Sequence, residues 1–129
     1  MINLTTSPIS PGQIIDSLKK DSAGAYISFI GTVRNTSQTG EKVTHLLIEP
    51  SGKDAEAKLR DIASEINQKW GLKDIVISRR TGKLKVGEIG LVIVVAAPHR
   101  QEAFQACQYA VDRIKEGHIT IEKDLYEPE

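Results

Sequence analysis

Residues 89–104, IGLVIVVAAPHRQEAF, pass from an almost wholly apolar run through Pro98 into a segment of helical spacing. A short apolar run without polar alternation predicts a strand covered on both faces. The helix that follows, residues 99–116, places Ala103, Cys107, Ala110 and Ile114 on one stripe with Phe104 and Val111 beside it, and Gly117 is its expected stop. His99 and Arg100 fall at the helix start, where partial positive charge and unpaired N–H groups favour an acidic or hydroxyl residue over two potential cations. Backbone N–H groups, an imidazole and a guanidinium at the end of a buried strand suit a phosphate or another anion. The alternative is an exposed pair offset by Gln101 and Glu102 in the same turn.

Outward from this junction, strands and helices intersperse. Ser10 and Pro11 form an N-cap and first-turn pair for a short helix to about Lys20, with Ile14, Ile15 and Leu18 on its apolar face. Residues 25–33 (AYISFIGTV) and 43–49 (VTHLLIE) read as strands, joined by the polar loop RNTSQTGEK, which is long enough to be mobile. Ala55, Leu59, Ile62, Ala63, Ile66 and Trp70 recur at helical spacing over 54–70, and Gly71 is a C-terminal stop. Residues 74–79 (DIVISR) predict a strand, Thr81-Gly82-Lys83 a turn into LKVGE, and 118–123 (HITIEK) a final strand before an acidic tail. Helices among strands indicate an α/β or α+β sandwich of sheet and helices, and the length fits a single domain over 1–129.

Seventeen basic and 17 acidic side chains cancel, leaving no electrostatic footprint for nucleic acid or an anionic membrane. The longest apolar run, 91–97, is far too short to span a bilayer, and no basic-then-apolar leader opens the chain. A soluble cytoplasmic protein is expected. Cys107 is the only cysteine, so neither an internal disulfide nor a CxxC pair can form, and its place on the helix stripe predicts core packing rather than nucleophilic chemistry. His45, His99 and His118 are scattered without metal-ligand spacing, and no phosphate-binding glycine loop is present. No metal or cofactor is expected.

Lys115 sits in the last helical turn, where the macrodipole favours a cation whatever its use. A functional role there requires a pocket in which the amine transfers protons or attacks an electrophile. Arg34 directly follows the strand ISFIGTV, a position from which side chains project into sites at strand ends.

GAYISFIGTVRN, the Glu49 that ends the second strand, the GKLKVGE turn and above all APHRQEAFQACQYAVDRIKE occur together and in order over residues 24–117. In this joint occurrence the chain resembles the large, catalytic subunit of molybdopterin synthase. The resemblance implies an α+β, hammerhead-like fold of two layers, sheet and helices, with an additional small antiparallel sheet. It implies a homodimer within a heterotetramer, and a small ubiquitin-like sulfur-carrier subunit whose C-terminal glycine thiocarboxylate enters a pocket of the large subunit. The reaction implied is transfer of two sulfurs to cyclic pyranopterin monophosphate, giving the molybdopterin dithiolene. Since the carrier supplies the sulfur, neither a reactive cysteine nor a metal is needed.

Position by position, the resemblance places Phe29 in the pocket lining and makes Arg34, His99 and Arg100 holders of the substrate phosphate. Lys115 is implied as acid/base, or as nucleophile toward the carrier's acyl carbon. The family's second functional lysine falls on Glu122, with Lys123 one residue later; in a strand that offset turns the side chain to the other face unless a bulge intervenes. Lys123 is the expected substitute. Pro50-Ser51 replaces aromatic residues, and Arg79 replaces a histidine before Arg80. The retained Arg34, His99, Arg100 and Lys115 predict an active sulfurtransferase, whereas Glu122 in an anion-binding pocket predicts a non-catalytic module that only binds the carrier.

Overall fold

The computed structural model describes residues 1–126, along which ten elements follow one another: β1 (Ile2–Thr5), α1 (Pro11–Leu18), β2 (Ala25–Thr32), β3 (Val43–Pro50), α2 (Ala55–Trp70), β4 (Ile75–Arg80), β5 (Gly82–Lys85), β6 (Ile89–Ala97), α3 (Arg100–Glu116) and β7 (Thr120–Tyr126). The apolar run is β6, an inner strand of a mixed sheet of order β1-β4-β6-β2. It runs antiparallel to both neighbours, while β1 adds to β4 in parallel. Every residue of β6 after Ile89 is buried, which explains why its sequence does not alternate.

On one face of this sheet Ile75, Ile77, Leu91, Ile93 and Val95 meet Leu59, Ile62 and Ile66 of α2 and Ala103, Ala106, Cys107, Ala110 and Ile114 of α3. The alanines keep α3 close to the strands, and both helices turn their apolar stripes toward the core, except that Phe104, expected beside the α3 stripe, is 58% exposed. Cys107 is buried there, and burial pushes its thiol pKa up. α1 packs against β6, with Ser10 capping it through a bond from the Gln13 N–H. Gly71 ends α2 in the left-handed conformation, φ 68°, and its N–H returns to Asn67.

β3 is the middle strand of a second, fully antiparallel sheet of order β5-β3-β7. Its inner face carries Leu46, Ile48 and Leu84, which pack with Val33. The two sheets meet at Gly90, where a Cβ would come within 3.2 Å of Ile48 Cδ1 and 3.5 Å of Arg79 Nη1. Opposite Gly31 and Thr32 the β6 register shifts by one residue, so Gly90 is both a bulge and a point of close approach.

Several segments differ from expectation. β1 was not foreseen; four residues are too few to show a period, and the strand exists because β4 offers a free edge, with the Met1 ammonium donating to the Ile75 carbonyl at 2.6 Å. The LKVGE turn includes β5, paired with β3 over His45–Ile48. The 34–42 loop is a hydrogen-bonded hairpin, with a bridge between Thr36 and Lys42 and a 2.8 Å bond from the Val43 N–H to Asn35. α1 stops at Leu18, and β7 begins two residues late and continues to Tyr126. The rest of the acidic tail, 127–129, lies outside the described residues. No described helix is long and apolar enough to cross a membrane.

Candidate functional site

A cavity of about 900 Å³ opens where the end of α3, the end of β2 and the inner face of the small sheet converge. Phe29 and Gly31 line it from β2, Leu91 and Gly90 from β6, Arg79 from β4, and Ile114 and Lys115 from the last turn of α3. Arg34 and Thr36–Thr39 border it from the hairpin after β2. β7 closes it with Thr120, Glu122, Asp124 and Tyr126, alternate residues of one strand face. Three cations, Arg34, Arg79 and Lys115, thus face two carboxylates, Glu122 and Asp124.

Of the residues singled out in the sequence, Phe29, Arg34 and Lys115 are brought together here, although more than 80 positions separate the first from the last. The cause is topological. β2 and α3 both run antiparallel to β6, so their C-terminal ends lie over the same end of the central strand.

That topology also separates His99 and Arg100 from the cavity. They start the helix that Lys115 ends, and fifteen residues of α-helix span about 22 Å. Both are exposed; His99 is the N-cap residue but makes no side-chain capping bond. The anion-holding corner expected at AAPHR is therefore not part of the chain's own cavity.

Lys123 is a second correction. β7 keeps an unbroken register with β3 from Thr120 to Leu125, and no bulge turns Lys123 inward. It stands in a cross-strand row with Leu47 and Lys83 on the outer face of the small sheet, while Glu122 and Asp124 point into the cavity.

Glu122 forms an ion pair with Arg79, whose side chain is only 7% exposed. Arg79 also donates through Nη1 to the Gly90 carbonyl at 3.1 Å, and through Nε and Nη2 to Thr120 Oγ1 at 3.3 and 3.1 Å. The two departures in sequence thus meet in space as one charge pair, and Glu122 does not stand as an uncompensated negative charge. His118 and Asp124 were not foreseen as lining residues, and Arg79 was singled out only as a departure from the family pattern. The readable signal for Asp124 was the period-2 spacing Thr120, Glu122, Asp124, Tyr126; for Arg79 it was a guanidinium at the end of an apolar strand, where the family pattern has a histidine. His118 lines the cavity at φ 47°, a left-handed backbone, because Gly117 stays right-handed and the reversal falls one residue later than expected. Among the described residues, no three His, Cys, Asp or Glu side chains gather to hold a metal.

Fold and cavity together define a two-layer α+β protein with a cation-bearing cleft between its helix layer and a small accessory sheet. Residues 4–117 match the family described as MoaE protein. The chain is 35% identical over 126 residues to the molybdopterin synthase catalytic subunit of Thermoplasma volcanium, covering 98% of this chain and 91% of that one. It superposes on the crystal structure of molybdopterin synthase from Staphylococcus aureus with a TM-score of 0.90 at 34% identity, covering 98% and 92% of the two chains. A complex of subunits 1 and 2 of molybdopterin-converting factor from Helicobacter pylori shares the fold, with a TM-score of 0.80 at 12% identity over 99% of this chain and 86% of that one. The chain belongs to the MoaE family, whose relatives named here are catalytic subunits of an enzyme.

Proposed function

We propose that this chain is the catalytic subunit of a cytoplasmic molybdopterin synthase. In this role it moves sulfur from the C-terminal thiocarboxylate of a small ubiquitin-like carrier subunit to cyclic pyranopterin monophosphate, forming the dithiolene. The observation that carries the proposal is the convergence of Phe29, Arg34 and Lys115 in one open cavity, in a chain that belongs to the MoaE family. Arg34 offers charge-assisted bonds to a phosphate, and Phe29 an apolar wall. Lys115, an ammonium at the cavity edge, stabilises the anion that develops as sulfur adds and exchanges a proton with the reacting centre. The nucleophilic sulfur arrives on the carrier. Cys107 stays in the core.

His99 and Arg100 reach substrate in this scheme only from a second copy of the chain, because their own cavity lies about 22 Å away along α3. A homodimer that presents one protomer's helix start to its partner's cavity is the arrangement that uses both.

The test is reconstitution. Purified chain, thiocarboxylated carrier and cyclic pyranopterin monophosphate should yield molybdopterin, and Lys115→Ala should lower the rate by about 100-fold or more. Carrier binding without product from the wild-type chain would overturn the proposal, as would full turnover by Lys115→Ala.

A further inference from the structure

Arg79 differs in kind from the other cations of the cavity. Arg34 and Lys115 are exposed, whereas the Arg79 guanidinium is withdrawn from solvent and its rim-side partner is a carboxylate. Gly90 and Thr120, its other partners, belong to the inner strand β6 and to the first residue of β7. Glu122 is of another sort: its side chain is 51% exposed and it reaches Arg79 through a single oxygen, Oε1. A buried guanidinium must be neutralised, but its neutralising group here stands half in water and can rotate outward into full hydration at small cost. An incoming oxyanion would replace one negative charge at the fork with another, leaving the buried charge balanced throughout. Two oxygens on one centre also suit a planar guanidinium better than the single oxygen that Glu122 supplies.

We propose that Arg79 is an anion-binding residue of this cavity and that Glu122 is its removable internal ligand, occupying the guanidinium until an oxyanion displaces it. Asp124, two residues along the same strand face, supplies a second negative charge to the cavity that Arg34 and Lys115 also line. Under the function proposed above, the oxyanion is either the phosphate of the small substrate or the carboxyl terminus of the carrier; the binding itself does not depend on sulfur transfer.

The experiment is a titration of the full-length ¹⁵N-labelled chain with inorganic phosphate and, separately, with glycylglycine, following the Arg79 Nε–H signal. In the wild type that signal should move with added anion. In Glu122→Gln, phosphate or glycylglycine should bind about tenfold more tightly, and the gain should vanish in Arg79→Gln/Glu122→Gln; the tighter of the two probes identifies the source of the anion. An Arg79 signal unmoved by both anions overturns the proposal from the wild-type chain alone, whatever the variants do. It is equally overturned if Asp124→Asn tightens binding as much as Glu122→Gln, or if the gain survives loss of Arg79, since either result makes Glu122 a general field rather than a competing ligand. A chain that binds anions this way yet forms no molybdopterin would sink only the proposed reaction, and the converse would sink only the Arg79 proposal.

Discussion

At the residue scale the cavity is shaped by positions that local preference does not favour. His118 holds a left-handed backbone that costs a side-chain-bearing residue about 1 kcal/mol, although a glycine stands immediately before it. Strain of this kind persists where the surroundings dictate the conformation, and here the surroundings are the junction between α3 and β7 that carries Lys115 and Glu122 to the same opening. His118→Gly is therefore expected to raise unfolding stability by about 1 kcal/mol, read from the midpoint of urea denaturation at unchanged slope. An unchanged or lowered midpoint would show that the imidazole contributes packing that outweighs the backbone strain. Arg79 carries a parallel lesson. In the sequence it is a basic residue ending an apolar strand; its burial against Gly90 and its pairing with Glu122 follow only when β4 and β7 are brought together.

At the element scale, α2 and α3 are tied by more than their apolar stripes. Glu65 of α2 accepts from Arg113 Nε and Nη2 at 3.0 and 3.2 Å and from the Tyr109 hydroxyl, while Trp70 stacks edge-on against Tyr109 with centroids 5.5 Å apart. The Arg113 bonds, and after them the Tyr109 bond, hold the Glu65 carboxyl below its ordinary value of 4.5. A carboxylate depressed in the folded state stabilises it above the unfolded pKa, and that contribution is lost as pH falls through the folded value. The contribution is thus complete above about pH 5 and disappears on acidification below 4.5. Glu65→Gln should lower the melting temperature by a few degrees at pH 7 and flatten the decline of melting temperature between pH 5 and 3. Parallel decline in the two proteins would show that other carboxylates govern acid unfolding.

Elements differ in how plainly the sequence announces them. α2, α3 and β6 each carry a long apolar pattern with a stop or a turn residue at its end, so they emerge near their true bounds. β1 and β5 have four residues each and no pattern of their own; each exists because a neighbouring strand presents an open edge. β7 is legible as a strand, but which of Glu122 and Lys123 faces inward depends on its register with β3, a contact between segments more than 70 residues apart.

At the scale of the whole molecule, the antiparallel return of α3 over β6 decides which candidate residues can cooperate. It carries Lys115 to Arg34 and Phe29 and leaves His99 and Arg100 at the far end. If a second copy supplies the pair, sites are shared between protomers, and two inactive variants should complement each other. Lys115→Ala mixed with His99→Ala/Arg100→Ala, after dissociation and reassembly, should recover about a quarter of wild-type turnover, since half the dimers are mixed and each keeps one intact site. Inactive variants that fail to recover on mixing would overturn the shared site, and wild-type turnover by His99→Ala/Arg100→Ala alone would place the pair outside the reaction. β2 is an edge strand with Ile30 44% exposed, and Phe104 near the start of α3 is 58% exposed, so apolar surface remains available for such contact.

By itself the sequence determined the covered strand, the two amphipathic helices, the layered α+β class and the family motifs that carry Phe29, Arg34 and Lys115, because each is written in a contiguous run whose periodicity and end residues act locally. Only the tertiary structure decided that the His99-Arg100 junction lies at the far end of α3 from the cavity, that Lys123 points outward, and that Arg79 and Glu122 neutralise each other inside it. Those outcomes turn on chain direction, strand register and the burial of charge, and such quantities acquire values only when segments distant in sequence are packed together.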